Sequence, residues 1–220
     1  VIVGGGLLGL ELAAALNKRN VNITLVQRAP RLMERQLDGV ASQLLAQDVQ
    51  ERGIQIHFDN EVNTVFDDTE MNSLSINLKT GKTISANAVV YTIGTIPNIE
   101  LAKTSKLTVQ RGVVVNEYLQ TSDPNIFALG EIAEFKNNLF GITSAAEQQA
   151  DIAAKYILGD LNSYYKGSVL MNILKFEDLD LCSIGNIEFP ENDPSYEEII
   201  LMDVSKRFYK KCVVKEDRLI

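Results

Sequence analysis

Three glycines stand between an apolar strand and an amphipathic helix at the start of this 220-residue chain. Residues 1–3 are β-branched, as in a buried strand, and Gly4, Gly6 and Gly9 follow with the spacing G-x-G-x-x-G. Residues 9–19 predict a helix because leucines recur at every fourth position with alanines on the same side. This strand–loop–helix order constrains the fold more than any other feature of the sequence.

The loop has the properties of a phosphate-binding turn. The first glycine permits a tight turn, the second lets a pyrophosphate approach the backbone, and the third lets the helix pack closely on the strand. The helix N-terminus would add N–H groups and a partial positive charge. Residues 21–26 predict a second strand, so the motif lies in a βαβ unit with a parallel sheet and a right-handed crossover. We therefore predict a dinucleotide-binding site; a merely glycine-rich turn is the alternative.

The end of the second predicted strand should select between NADH and NADPH. An acidic residue there would bond the ribose hydroxyls of NAD. This chain has Gln27, followed by Arg28 and Arg31. Glutamine can bond a hydroxyl and does not repel a 2′-phosphate, which the arginines could bind, although both could equally be solvated. Both cofactors therefore remain open.

The rest of the chain continues with strand and helix signals. Asp38 should cap a second helix that runs to about Arg52 and ends at Gly53. After Pro97 the pattern changes, and we expect an edge strand at 112–115, a buried strand at 126–129 and a helix at 144–158. Further strands are predicted at 54–58, 74–78, 88–93, 169–176, 179–184, 198–202 and 208–214.

Composition excludes several classes of function. The net charge of −8 disfavours nucleic-acid binding. The single histidine, His57, excludes a multi-histidine metal site, and the two cysteines, Cys182 and Cys212, form no C-x-x-C pair. Cys182 is expected in the core. No stretch reaches the roughly 20 apolar residues that a membrane-spanning helix needs, so we expect no membrane partner and a cytoplasmic location.

Three segments resemble one known family. Residues 1–11 (VIVGGGLLGLE) resemble the NAD(P)H-binding part of the FAD-dependent pyridine-nucleotide oxidoreductases. Residues 94–98 (GTIPN) resemble the point where that family returns to its FAD domain, and residues 121–131 (TSDPNIFALGE) resemble its second flavin motif. Most members have aspartate where this chain has Glu131.

A subset of the family resembles this chain further. Residues 32–38 (LMERQLD) and the GE pair look like the flavoprotein part of assimilatory NAD(P)H-nitrite reductase large subunits. The tail resembles the C-terminal domain shared by nitrite and rubredoxin reductases, at residues 166–169, 174–175, 180–181, 183–185 and 209–211. The start in a strand without methionine, and the end in a strand-like run, predict a piece of a longer polypeptide. The first FAD fingerprint, the iron–sulfur cluster and the sirohaem are expected outside it.

The resemblance implies an α/β fold with three parts. These are a Rossmann-like NAD(P)H-binding domain (1–98), the C-terminal part of an FAD-binding domain (99–163) and a small, truncated α+β C-terminal domain (164–220).

The resemblance also implies a set of site residues. The dinucleotide would lie against Gly4, Gly6, Leu7, Leu8 and Gly9, with Glu11 near the nicotinamide carboxamide, Gln27 and Arg28 near the ribose, and Gly94 close to the nucleotide. The flavin would lie against Gly130 and Glu131, whose carboxylate would accept from ribityl hydroxyls, and near Glu147 and Gln148 in a helix whose N-terminus faces the ring. The alternatives are a helix-dipole role for Glu11, a strand-end turn at Gly94, a helix N-cap at Glu131 and an ordinary first-turn acid at Glu147.

The implied activity is electron entry. NAD(P)H would reduce FAD without any catalytic acid or base from the protein, and electrons would pass to iron–sulfur and sirohaem centres for nitrite reduction. The isolated fragment should be inactive. The alternatives are a rubredoxin or ferredoxin reductase and a non-catalytic NAD(P)H sensor. The partner would be a redox domain or a small electron-transfer protein, docked in one interpretation on the basic run 206–211, and a homodimer is an open alternative.

Overall fold

A computed structural model describes residues 1–176, 178–187, 189–190 and 193–220. These residues divide into two units. The first unit joins Val1–Ile93 to Met171–Ile220, and the second is Gly94–Leu170. The contacts thus group the C-terminal segment with the first part of the chain. The predicted three-domain division, with boundaries at 98 and 163, stays a prediction.

The first part of the first unit is built around a parallel sheet. Its elements in chain order are β1 (Ile2–Val3), α1 (Leu7–Asn17), β2 (Thr24–Val26), α2 (Gly39–Glu51), β3 (Gln55–His57), β4 (Val62–Asp68), β5 (Ser73–Leu78), β6 (Thr83–Ala86) and β7 (Val90–Tyr91). The parallel sheet has the order β3-β2-β1-β7. Strands β4, β5 and β6 form a separate antiparallel sheet, of which β4 was not predicted. The predicted βαβ unit and parallel α/β class are confirmed.

Local sequence signals set both ends of α2. Asp38 has extended backbone and accepts a 2.9 Å hydrogen bond from the Ala41 N–H, so it is the predicted N-cap of α2. Gly53 follows the helix with φ of 84°, a left-handed conformation that glycine adopts without a steric penalty. Helix α1 starts two residues before the prediction and buries Leu10, Ala13 and Ala14.

The C-terminal part of the first unit consists of strands and one 3₁₀ turn. The strands are β11 (Met171–Phe176), β12 (Leu179–Ile184), β13 (Tyr196–Asp203), β14 (Phe208–Lys215) and β15 (Arg218–Leu219), with the turn at Val204–Lys206. Strands β11 and β12 pair with each other, and β13, β14 and β15 form a second antiparallel sheet. Leu174 and Phe176 pack in the same apolar core as Leu10 and Leu25, so this segment is attached to the parallel sheet and α1.

Polar contacts reinforce that attachment. The Ser183 hydroxyl donates to the Gln36 carbonyl oxygen at 2.6 Å. Arg207 forms an ion pair with Glu51 at 2.5 Å, whereas Lys211 pairs with Glu198 at 2.5 Å within the C-terminal segment itself. These arginine and lysine side chains belong to the basic run 206–211, so much of its charge is neutralised within the chain.

The second unit has its own core. Its elements are α3 (Glu100–Thr104), β8 (Val113–Val115), a 3₁₀ helix (Gly130–Ile132), β9 (Ala133–Phe135), β10 (Asn138–Leu139) and α4 (Thr143–Ile157). Strand β8 is an edge strand, as predicted, in the sheet β10-β9-β8. The core is apolar and aromatic and contains Val115, Leu119, Ala133, Phe135, Phe140, Ala145, Ala153 and Tyr165.

Two sequence-based predictions are wrong. No strand forms at 126–129 in the described chain; Phe127 makes only an isolated bridge to Gln120. The physical reason is a tight turn, in which the Ile126 N–H donates to the Asp123 carbonyl oxygen at 3.0 Å. Cys182 is exposed rather than buried, because Leu179 and Leu181 pack against the core and Cys182 lies on the opposite face of β12.

Candidate functional site

In the glycine loop of the first unit, close packing requires glycine at two positions, and the space beside a third glycine is open. Gly4 has φ of 114°, and a Cβ there would lie 2.6 Å from the Thr92 carbonyl oxygen. A Cβ on Gly9 would overlap the Gly4 carbonyl oxygen, so α1 could not start so close to β1. Gly6 is different, since nothing described in the protein lies within 4 Å of its Cβ position. The open space in front of Gly6 is where a ligand could approach the backbone.

The N-terminus of α1 supplies the polar groups at this opening. Gly6 is the N-cap and makes no side-chain cap hydrogen bond, and the Leu10 N–H donates to the Gly6 carbonyl oxygen. By helix geometry, the N–H groups of the first turn, including those of Leu7, Leu8 and Gly9, have no intrahelical acceptor. They carry the partial positive charge of the helix dipole, and Leu8 is 60% exposed beside them. The arrangement fits a pyrophosphate.

Two side chains that the sequence analysis did not assign to the loop's support hold it in place. Gln27 is 7% exposed, and its Oε1 accepts the Gly5 N–H at 2.7 Å. Its Nε2 donates to the Arg31 carbonyl oxygen at 3.2 Å. Thr92 Oγ1 lies 3.0 and 3.1 Å from the Val3 and Gly4 carbonyl oxygens. The predicted contact between Gln27 and a ribose stays a prediction, and Gln27 has this second, structural role.

The two arginines after β2 lie in different surroundings. Arg28 is exposed, and its charge contributes, after Lys79, to holding the pKa of Glu61 below its usual value. Arg31 is half-buried, and its guanidinium donates to the Glu34 carbonyl oxygen at 3.2 Å. Arg31 also lines a cavity of about 810 Å³ with Asp38, Tyr196 and Lys211, among others.

Glu11 contacts the C-terminal segment. It lies in the second turn of α1, and its Oε1 accepts the Lys175 N–H at 3.3 Å. This bond neither requires nor excludes the predicted contact with a nicotinamide carboxamide. The helix-dipole alternative also remains.

The second unit brings together the Gly94 segment, predicted to lie close to the nucleotide, and the Gly130–Glu131 pair, predicted to lie against the flavin. Gly94 and Gly130 have φ of 103° and 81°. The hydroxyl of Thr95, next to Gly94, donates to Glu131 Oε1. Glu131 lies within the 3₁₀ helix, whose N-cap is Leu129, so the N-cap alternative for Glu131 is wrong. Its exposed carboxylate is oriented by Thr95 and can accept further hydroxyls.

A buried hydrogen-bond chain supports the Gly130 turn. The Gly130 N–H donates to Gln149 Oε1 at 2.7 Å, and Gln149 Nε2 donates to the Tyr165 hydroxyl at 3.3 Å. The Tyr165 hydroxyl lies 2.7 Å from Ser168 Oγ, which donates to Gln148 Oε1 at 2.7 Å. Sequence reasoning selected Gln148, which ends this chain at the surface, but missed Gln149, whose partners lie far along the sequence.

Helix α4 begins without a side-chain cap. Its N-cap is Ile142, and the Ala146 N–H donates to the Ile142 carbonyl oxygen at 3.3 Å. The preceding N–H groups therefore have no intrahelical acceptor, and the positive end of the helix dipole is available to a ligand. Glu147 is exposed and lies past the first turn. Its predicted place near a flavin stays a prediction.

Two broader features bear on the site. No helix among the described residues is both long and apolar enough to cross a bilayer. Cys182 and Cys212, which lie on separate sheets of the first unit, are both free thiols.

Comparison with known protein families finds two matches. Residues 1–150 match the model of the pyridine nucleotide-disulphide oxidoreductases, and residues 171–220 match the C-terminal domain of rubredoxin NAD⁺ reductase. Two curated relatives come from Bacillus subtilis (strain 168). A nitrite reductase [NAD(P)H] is 34% identical over 219 residues and an assimilatory nitrate reductase electron transfer subunit is 32% identical over 218.

These relatives are much longer than the chain. The matches cover 100% and 99% of this chain but 27% and 28% of the two relatives, so the chain spans about a quarter of their length. Among solved structures, a ferredoxin reductase for the CYP199A2 system from Rhodopseudomonas palustris has a TM-score of 0.84 and 25% identity. That match covers 100% of this chain and 54% of the other.

Proposed function

The chain belongs to the pyridine nucleotide-disulphide oxidoreductase family, and on that premise we propose that it is the electron-entry part of an NAD(P)H-dependent flavoprotein. FAD and NAD(P)H are the cofactors of this family. The observation that carries the proposal is the glycine loop, where Gly4 and Gly9 are fixed by packing while the space at Gly6 is open. A purely structural turn would need glycine at positions 4 and 9, but it would not need open space in front of Gly6.

The first unit binds the dinucleotide at this loop. The uncapped N–H groups of α1 donate to the pyrophosphate, and Gly6 lets it approach closely. Gln27 and Thr92 keep the loop in shape from the two neighbouring strands. Glu11, two residues after Gly9, would accept from the nicotinamide carboxamide, since only one of its carboxylate oxygens is bonded to the Lys175 N–H.

The second unit holds part of the flavin. Glu131 accepts from the ribityl hydroxyls, and Thr95 keeps its carboxylate in one orientation. The uncapped start of α4 has N–H dipoles that would stabilise negative charge on a reduced flavin bound in this unit. Bound nicotinamide supplies a hydride and bound flavin accepts it, so the residues named here bind and orient rather than transfer protons.

The acceptor we propose is a nitrite-reducing centre reached through iron–sulfur chemistry elsewhere in the protein. The nitrite reductase relative and the nitrate reductase electron transfer subunit both match over nearly the whole chain. A rubredoxin or ferredoxin reductase is the second candidate, favoured by the C-terminal match and by the ferredoxin reductase structure. In either case, the internally paired charges of the run 206–211 make that run a poor docking surface for an acidic partner.

The test is an anaerobic titration of the intact protein. Its flavin absorbance should bleach on addition of NADH or NADPH. Nitrite should then restore the absorbance if the first candidate is right, and oxidised rubredoxin or ferredoxin should do so if the second is right. A flavin that neither dinucleotide reduces would leave a non-catalytic sensor and overturn the proposal.

A further inference from the structure

Gln149 is a fully buried amide attached to the turn proposed to hold the flavin. It is 0% exposed, although its neighbours on the buried face of α4 are Ala145 and Ala153. An apolar side chain would fill this position without the need for any partner. The polar side chain therefore calls for an explanation, and its partners supply one.

The hydrogen bonds of Gln149 fix its orientation. The backbone N–H of Gly130 can only donate, so the amide oxygen must face it, at 2.7 Å. The amide nitrogen then faces Tyr165, whose hydroxyl lies 2.7 Å from Ser168 Oγ. Ser168 donates in turn to Gln148. The donors run in one direction along the whole chain, so a flipped amide would break two bonds.

These hydrogen bonds constrain the backbone of Gly130 and Glu131, the turn proposed to hold the flavin. Gly130 has φ of 81°, and the direction of its N–H sets the start of the 3₁₀ helix that contains Glu131. The Glu131 carboxylate is held at its other end by Thr95. Gln149, bonded to the Gly130 N–H, and Thr95, bonded to the Glu131 carboxylate, thus restrict two adjacent residues.

We infer that Gln149, oriented by Tyr165 and Ser168, is a positioning residue that fixes the Gly130–Glu131 turn for flavin binding. The inference rests on the proposed function for its ligand, but the geometry of the turn can be measured without flavin. Gln149 acts through its hydrogen bond with the Gly130 backbone.

The decisive variant is Gln149→Met in the intact protein, which keeps the side-chain length and removes both hydrogen bonds. Tyr165→Phe is the second variant, since it removes only the hydroxyl that orients the amide. Ala153→Gly is the matched control, because it weakens the same helix at a buried position outside the hydrogen-bond chain.

Two readouts test the inference. The dissociation constant of flavin from the holoprotein should rise roughly tenfold for Gln149→Met and less for Tyr165→Phe. In flavin-free protein, hydrogen exchange in a peptide containing Gly130 should speed up in both variants. Ala153→Gly should lower the melting temperature while leaving the flavin dissociation constant near that of the wild type.

Opposite results would overturn it. Unchanged flavin affinity and unchanged exchange at Gly130 in Gln149→Met would show that the amide only satisfies its own burial, as would equal flavin loss in Ala153→Gly. If Gln149→Met does not fold, Tyr165→Phe decides on the same two measurements. A wild-type protein that takes up no flavin is a failure of the proposed function, and the exchange at Gly130 still tests the positioning.

Discussion

The Tyr209 hydroxyl donates a 2.6 Å hydrogen bond to Asp38 Oδ2, although the two residues are 171 positions apart in sequence. Asp38 uses its other carboxylate oxygen to cap α2. Lys211 Nζ lies 3.5 Å from the same Oδ2. One carboxylate therefore both starts a helix of the parallel α/β part and anchors β14 of the C-terminal segment.

Removing the Tyr209 hydroxyl should loosen this attachment. We expect Tyr209→Phe to lower the free energy of unfolding by about 1–2 kcal/mol, the range for a hydrogen bond to a charged group at a partly exposed site. The measurement is urea unfolding of the intact protein at neutral pH. Tyr91→Phe, at an exposed tyrosine of the same unit, should change the stability by less than about 0.5 kcal/mol. A similar loss in both variants would contradict the prediction.

The effect of Tyr209→Phe should also depend on pH. Burial works against the Asp38 carboxylate, but the Tyr209 hydroxyl, the Ala41 N–H and Lys211 together hold its pKa below the usual value. A lowered folded-state pKa stabilises the protein above the unfolded-state pKa, and that contribution is lost as the pH falls through the folded-state pKa. The difference in unfolding free energy between wild type and Tyr209→Phe should therefore have its full value at pH 6 and should shrink below about pH 4. Unfolding curves across this interval test it, and a constant difference would be the contrary result.

Local signals made some of these features predictable. Asp38 and Gly53 were identifiable as the ends of α2 because capping depends on residues within one turn of the helix. The glycine loop was predictable because its three glycines stand at a fixed spacing between β1 and α1, although the atom closest to a Cβ on Gly4 belongs to the distant Thr92.

Other features depend on contacts that no local pattern encodes. Thr92 bonds the Gly4 carbonyl oxygen across 88 positions, and Gln149 bonds Gly130 across 19. The apolar pattern at 126–129 is typical of a strand. No strand forms there because the Ile126 N–H donates to the Asp123 carbonyl oxygen and closes a tight turn. A polar residue at the end of β7 or on the apolar face of α4 is the only sequence signal that could have pointed to Thr92 or Gln149.

The cofactor preference should follow Arg28 rather than Arg31. The Arg31 guanidinium already donates to a carbonyl oxygen, whereas Arg28 is exposed beside the end of β2. We expect Arg28→Ala to weaken NADPH binding about tenfold while NADH binding changes less than twofold, because a charge-assisted bond to the 2′-phosphate is lost. Arg31→Ala is the comparison, and stopped-flow flavin reduction at varied dinucleotide concentration is the measurement. A strong preference for NADH that Arg28→Ala leaves unchanged would remove the arginine hypothesis.

The glycine loop offers the sharpest test of dinucleotide binding, because alanine substitutions at its different glycines should have different effects. Gly6 has φ of −85° and open space at its Cβ position, so Gly6→Ala should fold with a stability near that of the wild type. The added methyl group would fill the approach to the backbone, and we expect NAD(P)H binding to weaken at least tenfold, or about 1.4 kcal/mol. Gly9→Ala should instead destabilise the fold by about 2 kcal/mol or more, because its Cβ overlaps the Gly4 carbonyl oxygen and overpacking must move α1. Thermal unfolding without cofactor and isothermal titration with NADH and NADPH separate the two effects. A Gly6→Ala protein that binds both dinucleotides as tightly as the wild type would show that the open space at Gly6 is not the pyrophosphate site.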